Sequence, residues 1–402
     1  MTRRTRSTVE RGGARVLSVY DGFFTGGARI QHTTVVTGLH ATTQQRHSVL
    51  GLARTTTREG TTQTADRDGS WRRLAGAGVP VGALDRASGS ALRRHHLAAL
   101  ERAVGAADLV LSLKEQPLAA LRRIDAAGTP VVVSLHRSDP EHHEAAVTDL
   151  VDLVDRGTVA AAVCCARSTQ RAYHAATGIP LAQLPVVPNG VDLQRFRPSA
   201  CERRDVRREL GIDPAAPVVL LSARFDPMKD VPLFLRAAAA FARRRPDAHV
   251  VLCGAGMSAA NPELAGLVSA TLRGWSGAQD RVHLLGIRAD MPRLHNAADV
   301  VALTSAYGEA APLSLLEAMA SGTVPVTTDV GDAAAMVGDA RLVTGREPGA
   351  VALAWEAALD AREEHLARIL RDRPGLSERH CVDAYAAIAE RHALRDVLPT
   401  AV

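Results

Sequence analysis

Two carboxylates and two cations in the second half of this 402-residue chain are spaced for work on a phosphate flanked by hydroxyls. Residues 305–332 read SAYGEAAPLSLLEAMASGTVPVTTDVGD. Glu309 stands in a loop just ahead of a helical pattern over 312–320, and Glu317 lies inside it. Pro312 suits the first turn, where its missing N–H is not needed. Leu313, Leu316 and Met319 fall on one face, and Glu317 stands off that stripe. Gly322 ends the helix. The amides of Leu313, Ser314 and Leu315 then open a helix N-terminus, a natural place for an anion.

A second stretch, residues 221–244 (LSARFDPMKDVPLFLRAAAAFARR), carries Arg224 and Lys229 on one loop after a strand. Both cations can converge on a diphosphate. Lys229 and Lys114 are the only lysines beside 46 arginines, so a lysine kept for solubility explains Lys229 poorly. Residues 251–256 (VLCGAG) run a strand into Gly254 and Gly256, by itself a common chain reversal. In the first half, residues 20–27 (YDGFFTGG) place Gly26 and Gly27 at the start of a helix, where backbone can approach a ligand closely. His136, in VVVSLHRSD (131–139), sits just past a strand end, where α/β sites collect. Lys114 ends the preceding strand; it is read as exposed, with contact to an acceptor as the alternative.

The elements that must hold these residues follow from periodicity. Short apolar runs alternate with longer helical patterns throughout, the signature of parallel-sheet α/β domains. Strands are expected at 15–20, 48–53, 108–113, 130–135, 158–163 and 184–187, with a helix at 27–39. Residues 54–75, rich in Thr, Arg and Asp, read as an irregular surface stretch. PVVPNGVDLQRFRP (185–198) combines prolines with an Asn-Gly turn and marks a boundary. Beyond it come strands at 217–222, 249–253, 281–285, 299–303 and 324–327. Helices are expected at 202–210, 231–244, 263–273, 291–297 and 312–320, and a helical tail at 377–395.

The spacing of Glu309 and Glu317, with EAMASGTVPV following, resembles the E-x7-E signature of the retaining glycosyltransferases of family 4, which have the GT-B fold. The likeness runs from about residue 15 to 389 and is most specific over 217–340. It implies an α/β GT-B architecture of two doubly wound Rossmann-like domains facing across a cleft. The N-terminal, acceptor-side domain would span 1–198 and the nucleotide-sugar domain 199–376. Residues 377–402 would form a helix packing back on the first domain. By resemblance Glu309 faces the donor sugar and Glu317 holds ribose hydroxyls. Arg224 and Lys229 contact the donor diphosphate, and His136 meets the donor sugar. Gly26 and Gly27 lie near phosphates and acceptor. Gly254, Gly256, Ala311, Pro312, Leu313 and Ser314 line the donor site, with the base near backbone at 285–288. Asp230 stands where the family more often has Gly.

The resemblance implies transfer of a hexose-type sugar from a UDP- or GDP-sugar with retention, without an enzyme nucleophile. No cofactor or metal is expected, because the cations replace one. Two other classes remain: a nucleotide-sugar-binding protein without transfer, and another nucleotide-sugar enzyme such as a synthase or epimerase. Dinucleotide oxidoreduction fits less well, since no G-x-G-x-x-G opens a helix after a strand. Residues 54–105, where acceptor choice would lie, match no known pattern.

Composition sets outer bounds. With 46% apolar and 23% charged residues the chain reads as globular, and its length favours two domains. Aromatics at 3% leave Ala, Val and Leu to fill the core. No apolar run reaches the roughly 20 residues of a membrane helix. The Arg-rich start lacks the apolar region of a secretory signal and reads as a frayed arm. Five cysteines without a CxxC pair predict buried thiols in a reducing cytoplasm. Residues 1–198 carry 25 basic against 17 acidic side chains; residues 199–402 carry 23 against 26. The basic half suits an anionic acceptor or peripheral contact with the inner membrane face; scattered Arg for solubility is the alternative. Nucleic acid is not expected, for no aromatics interleave with the basic residues.

Overall fold

A computed structural model describes residues 13–58 and 61–393. The arm over 1–12 and the last residues of the expected C-terminal helix lie outside the described residues.

The chain builds two six-stranded parallel sheets. The first contains β1 (Arg15–Tyr20), β2 (Arg46–Gly51), β5 (Val81–Ala83), β6 (Leu109–Leu113), β7 (Val131–Leu135) and β8 (Val159–Cys164), after the hairpin β3 (Thr55–Arg58) and β4 (Thr61–Thr64) branches off. Its order is β5-β2-β1-β6-β7-β8. The second contains β9 (Val218–Ser222), β10 (His249–Cys253), β11 (Val282–Leu284), β12 (Val300–Leu303), β13 (Val324–Thr328) and β14 (Val343–Thr344), in the order β11-β10-β9-β12-β13-β14. In each sheet the strand order reverses beside the first strand. Parallel α/β sheets bind ligands at the C-terminal ends of strands at such a reversal. For the second sheet that point lies between β9 and β12, the strands leading to Arg224 and Glu309.

The central strands are unbroken apolar runs because helices cover both faces. β6 and β7 are buried at every residue. The few aromatics cluster in both halves: Phe23 packs between Tyr20 and Trp71 in the first, and Trp355 is fully buried between Phe234 and Phe241 in the second. The helix carrying Phe234 and Phe241, Val231–Ala242, starts where the Asp230 carboxylate accepts the Leu233 amide at 3.1 Å. The helix Glu378–Ala393 lies on the helix Gly27–Thr42, and Val382, Tyr385 and Ile388 share a core with Val35 and Leu39.

Four sequence expectations need correction. Among the described residues of 54–75 regular elements form: the β3–β4 hairpin pairs threonines, whose β-branched side chains favour strands, and the helix Gly69–Gly76 begins at Asp68, which accepts the Ser70 amide at 2.8 Å. Residues 184–187 are not a strand; only an isolated bridge joins Val186 to Cys164. Prolines at 185 and 188 remove ladder donors there. Pro312 precedes the helix Leu313–Ala320 with extended ψ and is not in its first turn. Among the thiols Cys201 is exposed, whereas Cys164, Cys165, Cys253 and Cys381 are buried. Among the described residues no helix is long and apolar enough to cross a membrane.

Candidate active site

The loop after β12 and the loop after β9 lock together. Thr304 Oγ1 donates to the Lys229 carbonyl at 3.0 Å, and the Ala306 amide to the Met228 carbonyl at 2.8 Å. These contacts bring Lys229 Nζ onto Glu309 Oε1, which also accepts from Ser305 Oγ at 2.6 Å. The two charged side chains are only 14% and 7% exposed. In so little water each needs the other, since a lone buried charge is costly. Asp230, next to Lys229, takes a left-handed φ of 45°. Asp tolerates that conformation better than most residues, and here its carboxylate also caps the next helix and pairs with Arg346 at 2.7 Å.

Arg224 pairs with Asp226 at 3.0 Å and is mostly buried. Its loop rests on the glycine loop after β10. The Ala223 amide donates to Cys253 O at 2.9 Å and the Phe225 amide to Ala255 O at 2.8 Å. A Cβ on Gly254, whose φ is 140°, would sit 1.9 Å from the Ala223 carbonyl oxygen. Gly254 and Gly256 therefore have a packing reason to be glycine: they let the Arg224 loop lie flat. The backbone N–H and C=O of Gly286 are already used by Met257 and Gly254.

Glu317 Oε2 lies 3.2 Å from Nε2 of His295, which is fully buried. His295 Nδ1 is buried without a hydrogen-bond partner. At the N-terminus of Leu313–Ala320, the Leu315 amide bonds to Pro312 O at 3.2 Å. The anion site expected from three amides thus reduces to those of Leu313 and Ser314. Ala311 is half-buried, and its carbonyl accepts from Asn189 Nδ2 at 2.8 Å.

The first sheet brings its own residues to the same place. A Cβ on Gly27 would lie 3.8 Å from Leu313 Cδ1, so the Gly26–Gly27 turn faces the start of the Leu313–Ala320 helix. His136 follows β7, and its Nε2 is buried without a hydrogen-bond partner. Burial first, then Lys114 and His32, hold its pKa down to about 3, so the ring is neutral near pH 7. Two residues on, Ser138 Oγ donates to the Glu309 carbonyl. His142 stacks on Tyr307 with ring centroids 5.7 Å apart.

Glu309, Lys229, Ser314, Gly27 and the His136 loop thus gather where the two sheets meet. Arg224 lies five residues before Lys229 on the same loop, paired with Asp226, and Glu317 sits one turn into the helix against His295. Sequence reasoning missed Ser138, Ser305 and His295; Asp332 belongs to the Gly331-Asp332 pair that supports the family resemblance, but nothing in the sequence gave it a structural role. Serines and a histidine in a short apolar helix carry no spacing signal that distinguishes them. Among the described residues no group of three or more His, Cys, Asp or Glu is placed to hold a metal ion.

Comparison with known proteins decides the family. Residues 25–195 match the model described as Glycosyltransferase Family 4, and residues 202–373 match Glycosyl transferases group 1. Both halves are glycosyltransferase domains. The GT-B fold of this glycosyltransferase chain is shared with Anabaena HepE solved with UDP-glucose: 20% identity, TM-score 0.77, covering 94% of this chain and all of that one. A Rickettsia africae glycosyltransferase has the same fold at 11% identity, with a TM-score of 0.73 over 95% of this chain and 99% of that one. In sequence, the D-inositol 3-phosphate glycosyltransferase of Mycolicibacterium gilvum is 36% identical over 53% of this chain and 46% of its own. A second one, from Catenulispora acidiphila, is 33% identical over 58% of each. The glycosyltransferase chain spans about half the length of these curated relatives.

Proposed function

We propose that this chain is a retaining glycosyltransferase, moving a hexose-type sugar from a nucleotide diphosphate donor to an acceptor hydroxyl. The observation that carries the reading is the Lys229–Glu309 pair at the strand reversal of the second sheet, beside the start of the Leu313–Ala320 helix. The bond between anomeric carbon and phosphate oxygen breaks, and the acceptor oxygen bonds to that carbon on the same face. The departing phosphate oxygen takes the acceptor proton. Lys229, Arg224 and the Leu313 and Ser314 amides stabilise the charge that develops on the diphosphate. Glu309 orients the sugar hydroxyls, and Glu317 those of the ribose. His136, neutral, hydrogen-bonds the sugar without adding charge. Gly26 and Gly27 admit the diphosphate close to backbone. The arginine and lysine occupy the role a metal ion has elsewhere, so transfer needs no added cation.

A UDP-sugar is the first donor to test, because HepE was solved with UDP-glucose at the same fold. The names of the sequence relatives make a phosphorylated polyol the first acceptor to test, in keeping with the basic first half.

A thermal-shift panel of UDP-, GDP- and ADP-sugars names the donor, since a ligand of the folded state raises the melting temperature by mass action. Nucleotide release is then followed in wild type, Glu309→Gln and Arg224→Ala. Each variant is expected to lose about 100- to 1,000-fold in kcat. A panel without any stabilising nucleotide-sugar, or variants that turn over like wild type, would overturn the reading. A nucleotide-sugar that binds with no transfer to any acceptor would indicate the binding-protein class instead.

A further inference from the structure

Three consecutive carbonyls, those of Glu309, Ala310 and Ala311, are gripped from outside their own loop. Ser138 Oγ, from the first half, donates to Glu309 O. Asn189 Nδ2, ahead of the second sheet, donates to Ala311 O at 2.8 Å. The Asp332 amide donates to Ala310 O at 2.9 Å. Asp332 belongs to the second half, but its carboxylate crosses over. Oδ2 accepts the Arg167 amide at 2.8 Å and Oδ1 the Ser168 amide at 2.9 Å. Those are the first two amides of the helix Arg167–Thr177 in the first half.

That helix lacks a cap of its own. The residue before it is Ala166, which has no side-chain acceptor, whereas helices in general begin on Ser, Thr, Asp or Asn. The missing acceptor comes from the opposite half. A carboxylate there also meets the positive end of the helix dipole. Around the crossing, Cys165 and Ala166 bury themselves against Ala310, with Ala311 packed beside them. Gly331 completes the join. Its φ is 64°, and a Cβ there would lie 2.1 Å from the Glu309 carbonyl oxygen.

We propose that Asp332 is a positioning residue for Glu309. By capping a helix of the first half while its amide holds Ala310, it makes the placement of the Glu309 segment depend on the docking of the two halves. The kinetic part of this proposal rests on the glycosyltransferase reading; the docking part does not.

The test compares wild type with Asp332→Ala, Asp332→Asn and the double variant Asp332→Ala/Ala166→Ser. The double variant gives the helix a local cap without restoring the crossing. Asp332→Ala is expected to lower kcat tenfold or more while the Kd for UDP stays within threefold, because the diphosphate cations are untouched. Asp332→Asn keeps an acceptor oxygen and is expected to regain part of that loss. The double variant is expected to regain melting temperature but not kcat. Wild-type kcat in Asp332→Ala, or in the double variant, would overturn the proposal and leave Asp332 an ordinary cap. Small-angle scattering on the same proteins is independent of turnover. A larger radius of gyration in Asp332→Ala supports docking through this contact, and an unchanged radius refutes it. Should wild type transfer no sugar, the scattering comparison still decides, and Asp332→Asn serves if Asp332→Ala does not fold.

Discussion

Lys229 and Glu309 stand 80 positions apart in the chain, yet Nζ of one donates directly to Oε1 of the other. Each lies on a loop that leaves the second sheet at its strand reversal, and the pair is shielded from bulk water. The charges are therefore both a feature of the site and a structural tie between its two main loops.

Lys229→Met should leave the Glu309 carboxylate with only the Ser305 hydroxyl. Breaking a buried pair from one side costs about 3–5 kcal/mol, and the slight exposure of this one places it at the lower end. Adding Glu309→Gln removes the orphaned charge and should recover most of that stability, though not turnover. Urea unfolding of the single and double variants measures this. A Lys229→Met protein as stable as wild type would contradict it.

His295 supports Glu317 from beneath through a 3.2 Å contact. His295→Phe should free the carboxylate and weaken ribonucleotide binding by about 1–1.5 kcal/mol, the scale of one hydrogen bond, or roughly tenfold. Affinity for the 2′,3′-dideoxy nucleotide should barely change, because it lacks the hydroxyls Glu317 is proposed to hold. Calorimetry with both nucleotides checks this; equal losses for the two would show that His295 acts on folding alone.

Gly254→Ala should disturb the Arg224 loop, because the new methyl would occupy the space of the Ala223 carbonyl. Strained backbone costs about 1–3 kcal/mol, and relieving it moves Arg224. The expected result is a lower melting temperature together with weaker diphosphate binding. Weaker stability with unchanged binding would separate the glycine loop from the site.

His32 is buried between Ser18 Oγ at 3.3 Å and Ser134 Oγ at 3.1 Å, and burial holds its pKa down to about 3. Unfolded His titrates near 6.5. Between those values the unfolded chain binds the extra proton, so stability is full above about pH 6.5 and falls as pH drops. A single such group contributes a slope approaching ~1.4 kcal/mol per pH unit. His32→Asn should flatten the dependence between pH 6 and 4 by about that amount in denaturant titrations; parallel curves for the two proteins would refute the assignment.

The sequence by itself determined the parts that local chemistry controls. Alternating apolar runs and amphipathic stretches dictated two parallel α/β units, because strand and helix periods are written in neighbouring residues. The spacing of Glu309 and Glu317 placed one carboxylate before a helix and one within it. Arg224 and Lys229 fell on one loop because a strand ends just before them. Only the tertiary structure decided which loops meet. Strand order put the loops after β9 and β12 side by side, and that alone pairs Lys229 with Glu309. The same ordering laid Gly254 under the Arg224 loop, set His295 below Glu317 and lent the Asp332 carboxylate to a helix that begins on Ala166. Residues 54–75 misled for a related reason: their threonines pair with one another across a hairpin, and Thr55 also bridges to Ala87, 32 residues further on. These relationships join residues far apart along the chain, and no short-range pattern encodes a contact whose partner is chosen by packing.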